Sequence, residues 1–85
     1  YYILDSLAWA HFKKEDYAKA AELMEEVIDM VPGEAISLDH LGDIYYAMNR
    51  KREAAYFWKQ AMDLATPEDN LIENIKKKLK KYNAR

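Results

Sequence analysis

Nucleophilic catalysis needs a hydroxyl or thiol beside a base, and this chain is poor in all three. It has no cysteine, two serines (Ser6 and Ser37) and two histidines (His11 and His40). Ser37 and His40 stand one helical turn apart, but nothing around them supplies an oxyanion hole or a strained nucleophile turn. They read as ordinary surface residues. The absence of cysteine excludes a disulfide framework and a thiolate zinc site. Asp39, His40 and Asp43 share one turn, and Asp5 falls on a neighbouring helix. That is a conceivable carboxylate–imidazole metal set, which leaves a metal-dependent enzyme site as a remote alternative. Glu22, Glu25, Glu26 and Asp29 run along an outer helix face and read as solvated rather than as acid–base groups. The residue types therefore predict no enzyme, no cofactor and no metal.

The charge is lopsided. Residues 1–75 hold 15 acids against 7 bases, whereas residues 76–85 hold 6 bases and no acid. A nucleic-acid footprint spreads over a domain, and here the acidic body repels phosphate, so the basic tail predicts no nucleic-acid partner. No apolar run approaches the ~18 residues of a membrane span. The chain opens at Tyr1 without an initiator Met and reads as an excerpt of a longer protein.

Any residue that acts must be positioned by helices. Two Gly and two Pro in 85 residues allow few turns and favour a handful of long helices. Breaks near Lys14–Asp16, at Val31-Pro32-Gly33, near Asn49–Lys51 and at Thr66-Pro67 predict helices at about 2–14, 17–31, 35–48, 51–65 and 68–82. Asp16, Asn49 and Thr66 are expected as N-caps or turn residues. Leu4, Leu7, Ala8 and His11 are spaced for one helix face, with His11 as a core histidine, and Ala20, Leu23, Met24, Val27 and Ile28 are spaced for another. In the last helix Leu71, Ile72, Ile75, Leu79 and Tyr82 form a stripe opposite Glu73, Lys76, Lys77, Lys80 and Lys81, as a polar cap over a helical stack requires.

The chain also repeats itself. An offset of 34 residues superposes Leu4 on Leu38, Asp5 on Asp39, Leu7 on Leu41, Ala20 on Ala54, Ala21 on Ala55, Asp29 on Asp63 and Glu34 on Glu68. The small residues Ala8, Gly42, Ala20 and Ala54 let paired helices approach closely. On these residues the chain resembles the tetratricopeptide repeat family. The family pattern reads once as Leu7-Ala8, His11, Ala20, Met24, Val27 and Pro32, and again as Leu41-Gly42, Tyr45, Ala54, Trp58, Ala61 and Pro67. His11 replaces the expected Tyr, Lys51 replaces the aromatic supplied by Tyr17 in the first copy, and the second Pro falls one residue late. The resemblance implies an all-α, right-handed solenoid of five helices in one domain: repeat 1 at 1–34, repeat 2 at 35–67, and a capping helix with basic tail at 68–85.

The resemblance further implies a protein–protein interaction scaffold, part of a larger, bacterial-looking protein. Its concave surface is lined by the first helix of each hairpin. Carried over position by position, that groove includes Tyr2, Asp5, Trp9 and Phe12 from the first copy and Asp39, His40, Asp43 and Tyr46 from the second. Trp9, Phe12 and Tyr46 lie off the Leu/Ala packing stripe and are expected as anchors. The Lys/Asn/Arg set with which some family members grip a terminal carboxylate is missing, since Asp5, Trp9 and His40 stand there. Asp5, Asp39 and Asp43 instead favour a neutral-to-basic, hydrophobic protein or peptide segment. The alternative is self-association through the helix that begins Tyr1-Tyr2-Ile3, whose inner face truncation leaves uncovered.

Overall fold

The structure, a computed structural model, describes residues 2–65 and 70–83. Five helices follow one another: α1 (Tyr2–Lys13), α2 (Tyr17–Met30), α3 (Ala35–Ala47), α4 (Lys51–Leu64) and α5 (Leu71–Asn83). No strand occurs among the described residues. The expected boundaries hold to within a residue or two for α1 to α4. Thr66-Pro67 and the acids Glu68 and Asp69 lie outside the described residues.

The two hairpins turn in the same way. Glu15 and Asn49, 34 positions apart, both adopt φ 64°. Glu15 N–H donates to the Phe12 carbonyl at 3.0 Å and Asp16 N–H to His11 at 2.9 Å. Asn49 N–H donates to Tyr46 at 3.0 Å and Arg50 N–H to Tyr45 at 2.9 Å, the same two bonds one repeat later. This pair of bonds around a left-handed residue satisfies the last carbonyls of α1 and α3 and fixes the reversal. Asp16 does occupy the N-cap position of α2, but its side chain makes no cap bond. Its carboxylate turns instead to His11 Nδ1 at 3.3 Å.

Small residues sit at the hairpin contacts. Ala8, Ala20, Ala54 and Ala61 are wholly buried. A Cβ on Gly42 would stand 2.4 Å from the indole of Trp58 and 3.1 Å from the Ala54 carbonyl. The position admits no side chain without displacing α4. Met24, Val27, Leu41 and Ile44 complete the core, and Ile75 of α5 joins it. Leu71, Ile72, Leu79 and Tyr82 are half-buried, while Glu73, Lys76, Lys77, Lys80 and Lys81 are exposed, so α5 turns its apolar stripe inward.

Two expectations need correction. Leu7 belongs by spacing to the buried face of α1, yet it is 45% exposed, whereas its repeat equivalent Leu41 is 1% exposed. The reason is a neighbour. Helix α2 lies against α3, where the Tyr45 hydroxyl donates to Glu25 Oε1 at 2.6 Å, and no described element lies against α1 in that way. Burial, then the bond to Glu25, pushes the Tyr45 phenol up to about 12. His11, at the position of Tyr45 in the first copy, is likewise not a core residue. Its side chain is 29% exposed and is spent on Asp16.

Candidate binding groove

Side-chain contacts place α1, α3 and α5 in succession along one surface, with one seam between α1 and α3 and another between α3 and α5. At each seam an acid from the earlier helix meets a base from the next. Asp5 of α1 stands 3.7 Å from His40 Nδ1 of α3. Asp39 and Asp43 of α3 both meet Lys78 of α5, at 2.9 Å each. Asp5 and Asp39 are equivalent by the 34-residue repeat, so the same position is used twice, against a histidine and then against a lysine.

The α1/α3 seam opens into a pocket lined by Asp5, Ser6, Trp9, Ala10, Lys13 and His40. Trp9 stacks on His40 with centroids 4.6 Å apart and on Phe12 at 4.7 Å. Phe12 leans in turn on Tyr17 at 5.5 Å. Trp9 is therefore half-buried in an aromatic row rather than free in the groove. Asp5 Oδ1 and His40 Nδ1 are buried beneath it without a hydrogen-bond partner, because 3.7 Å is too long for a bond between them. Buried polar atoms are nearly always satisfied, so this pair marks a place where a hydrogen-bond partner is wanted.

The α3/α5 seam is closed more tightly. Lys78 Nζ lies 5.8 Å from the centroid of the Trp58 ring, beside its two carboxylates. The Trp58 indole N–H donates to the Asp39 carbonyl at 3.3 Å, which locks α4 to α3 under the lysine. Tyr46 packs on Trp58 at 5.6 Å, and a small pocket remains between Asp43, Tyr46, Trp58, Lys78 and Lys81. Burial raises the Asp43 carboxyl above its ordinary range, more than the hydrogen bond and charge of Lys78 lower it. Burial alone would lower Lys78, but its bonds to Asp39 and Asp43 outweigh that and hold it above its ordinary value.

The eight residues singled out by sequence thus divide. Asp5, Trp9 and His40 meet in the open α1/α3 pocket, with Phe12 behind Trp9. Asp39, Asp43 and Tyr46 lie at the second seam, with Asp39 only 6% exposed. Tyr2 opens α1, and its side chain lies outside the described residues. Asp39 and Asp43 turn to Lys78 while His40 turns to Asp5, so the conceivable metal set does not converge. Among the described residues no group of three or more such ligands could hold an ion. Ser37 is buried and donates to Glu34 at 2.9 Å, away from any role beside His40. The sequence reading missed Lys78 as a groove residue, having placed it only among the charges of the basic tail.

A family model described as tetratricopeptide repeat matches residues 2–31 and 35–66. Among solved structures, the crystal structure of a tetratricopeptide repeat domain protein from Salinibacter ruber is similar, with a TM-score of 0.84 at 23% identity. The match covers 96% of this chain and 93% of that one, which shows a shared fold. No curated protein sequence matches the chain.

Proposed function

Because the chain belongs to the tetratricopeptide repeat family, a family of protein-interaction scaffolds, we propose that it holds a partner protein segment in the groove between α1 and α3. The observation that supports this reading is the open pocket itself. It joins an aromatic wall, Trp9 with His40, to two buried polar atoms, Asp5 Oδ1 and His40 Nδ1, that lack a hydrogen-bond partner. A partner side chain that brings an N–H or O–H to the Asp5 carboxylate and an apolar edge to Trp9 would fit this pocket. Of the three groove acids, Asp39 and Asp43 share Lys78, and Asp5 alone stands without a lysine or arginine partner. That supports a neutral-to-basic, hydrophobic segment at this pocket, with Lys13 at the rim setting a limit on positive charge.

The test is to select peptides from a displayed random library against the chain and map the best binder by nuclear magnetic resonance. Shifts should cluster on Asp5, Trp9 and His40. Asp5→Asn preserves shape and removes the charge, and it should weaken the peptide about tenfold, the order expected for losing a charged hydrogen bond. Shifts confined to α2 and α4, or an unchanged affinity in Asp5→Asn, would sink the reading.

A second reading has its own support. Ile3 is 83% exposed and Leu7 45%, and with Ser6 and Ala10 they form a continuous apolar strip on α1. Two copies could bury these strips against each other. Light scattering across a concentration series checks this, and a constant monomer mass removes it.

A further inference from the structure

The α3/α5 seam carries a feature that scaffolding at α1/α3 does not use. Asp39 and Asp43 form an acidic seat on α3, and the chain fills that seat itself. Lys78 Nζ lies 2.9 Å from both carboxylates, and Ile75, one turn earlier on α5, is wholly buried in the core. The seat is built from three elements: the carboxylates of α3, the Trp58 indole of α4 bonded to the Asp39 carbonyl, and the space above Gly42 that the indole occupies. It receives a lysine from the middle of an amphipathic helix.

Helix α5 holds its place with little burial. Among the described residues it buries one, Ile75, as α1 buries one, Ala8, whereas α2 buries five, α3 seven and α4 four. Its lysines Lys76 and Lys80, and Lys77 and Lys81, stand four apart, a spacing at which like charges oppose helix formation. An ion pair taken out of water roughly balances its own desolvation, but removing the lysine alone leaves two part-buried carboxylates without a cation, so the docked position of α5 depends on Lys78. Elements with few buried contacts open first.

We propose that α5 is a resident occupant of this seat, and that the seat takes in exchange a partner's amphipathic helix bearing a lysine one turn after a buried aliphatic residue. While α5 is docked, Lys78 offsets one of the two negative charges and Asp39 is covered, so Asp5 is the groove acid left without a lysine or arginine partner. When α5 lifts, Asp39, Asp43 and the indole of Trp58 become a second binding surface continuous with the first. Charge complementarity selects the occupant: two carboxylates around one site favour a cation, and the apolar floor left by Ile75 favours an aliphatic neighbour.

The full-length chain tests this with a defined probe, a fluorescent synthetic peptide of residues 66–85 added in trans. Wild type should bind it weakly, because its own α5 competes. Lys78→Met weakens the internal helix and should bind the wild-type peptide at least about tenfold more tightly. Asp43→Asn in the same chain should reverse that gain, and a peptide carrying Lys78→Met should not bind. Trp9→Ala should leave all of this unchanged, which separates the seat from the α1/α3 pocket. An affinity equal in wild type and Lys78→Met, or insensitive to Asp43→Asn, overturns the proposal. Should Lys78→Met fail to fold, hydrogen exchange on wild type decides. Amides of α5 must exchange before those of α3 and α4, which build the seat, and exchange of the three together overturns it.

Discussion

At the scale of single residues, the firmest constraint is Gly42. A glycine inside a helix costs about 1 kcal/mol relative to alanine, so Gly42→Ala should stabilise α3 if nothing stood nearby. Here the added methyl would meet the Trp58 indole at 2.4 Å. The ring must then move, and its bond to the Asp39 carbonyl goes with it. Overpacking a filled core costs about 1–3 kcal/mol, and that exceeds the gain in helix propensity. A melt of Gly42→Ala should fall by about 4–8 °C for each kcal/mol lost. A rise would mean that the indole has room that the structure does not show. The need for a small residue at Gly42 was legible, because Ala8 occupies the same place one repeat earlier. The role of Lys78 was not. A lysine at the edge of an apolar stripe faces solvent or a neighbour according to how two helices cross, and Lys78 meets acids 35 and 39 positions away. No local pattern carries that information. Trp9 shows the opposite error of emphasis: its spacing places it off the packing stripe, and it still finds His40 and Phe12 to stack on.

At the scale of elements, the five helices could be read from periodicity and breaks, since both depend on neighbours in the chain. The way the hairpins reverse could not. Asp16 and Asn49 are expected as N-caps or turn residues. Asp16 takes the N-cap position without a side-chain cap bond, and Asn49 makes its turn at φ 64°. Nothing in the sequence marks Glu15, which makes the equivalent turn at the same φ. A left-handed residue with a Cβ costs free energy that glycine does not, while asparagine tolerates the conformation better than glutamate. Glu15→Gly should therefore raise stability by about 0.5–1 kcal/mol, after the larger entropy of the unfolded glycine chain is set against the relieved strain. Asn49→Gly should give less than half as much. Paired urea denaturations measure the difference directly. Equal gains at the two turns would show that the side chains of Glu15 and Asn49 contribute nothing of their own, and a loss at Glu15 would show that this turn is held by its side chain.

At the scale of the whole molecule, the repeat treats Leu7 and Leu41 as one position, and the fold treats them as two. Their sequence environments match, but α2 lies against the face of α3 that carries Leu41 and Tyr45, and no described element lies likewise on α1. Exposure of 45% against 1% follows. Sequence could not distinguish them, because the difference belongs to position in the stack and not to the residues. It has a measurable consequence. Leu41→Ala leaves a cavity in a filled core and should cost about 2–5 kcal/mol, whereas Leu7→Ala removes a side chain that water already reaches and should stay near ~0.5 kcal/mol. If copies pair, as the second reading proposes, this exposed strip is what they bury. Leu7→Glu should therefore leave the melt of the dilute chain nearly unchanged while abolishing concentration-dependent growth in scattering mass. A cost at Leu7 comparable to that at Leu41 in dilute solution would mean that α1 is covered on this face after all. A cost at Leu7 that appears only at high concentration would mean that the cover is a second copy.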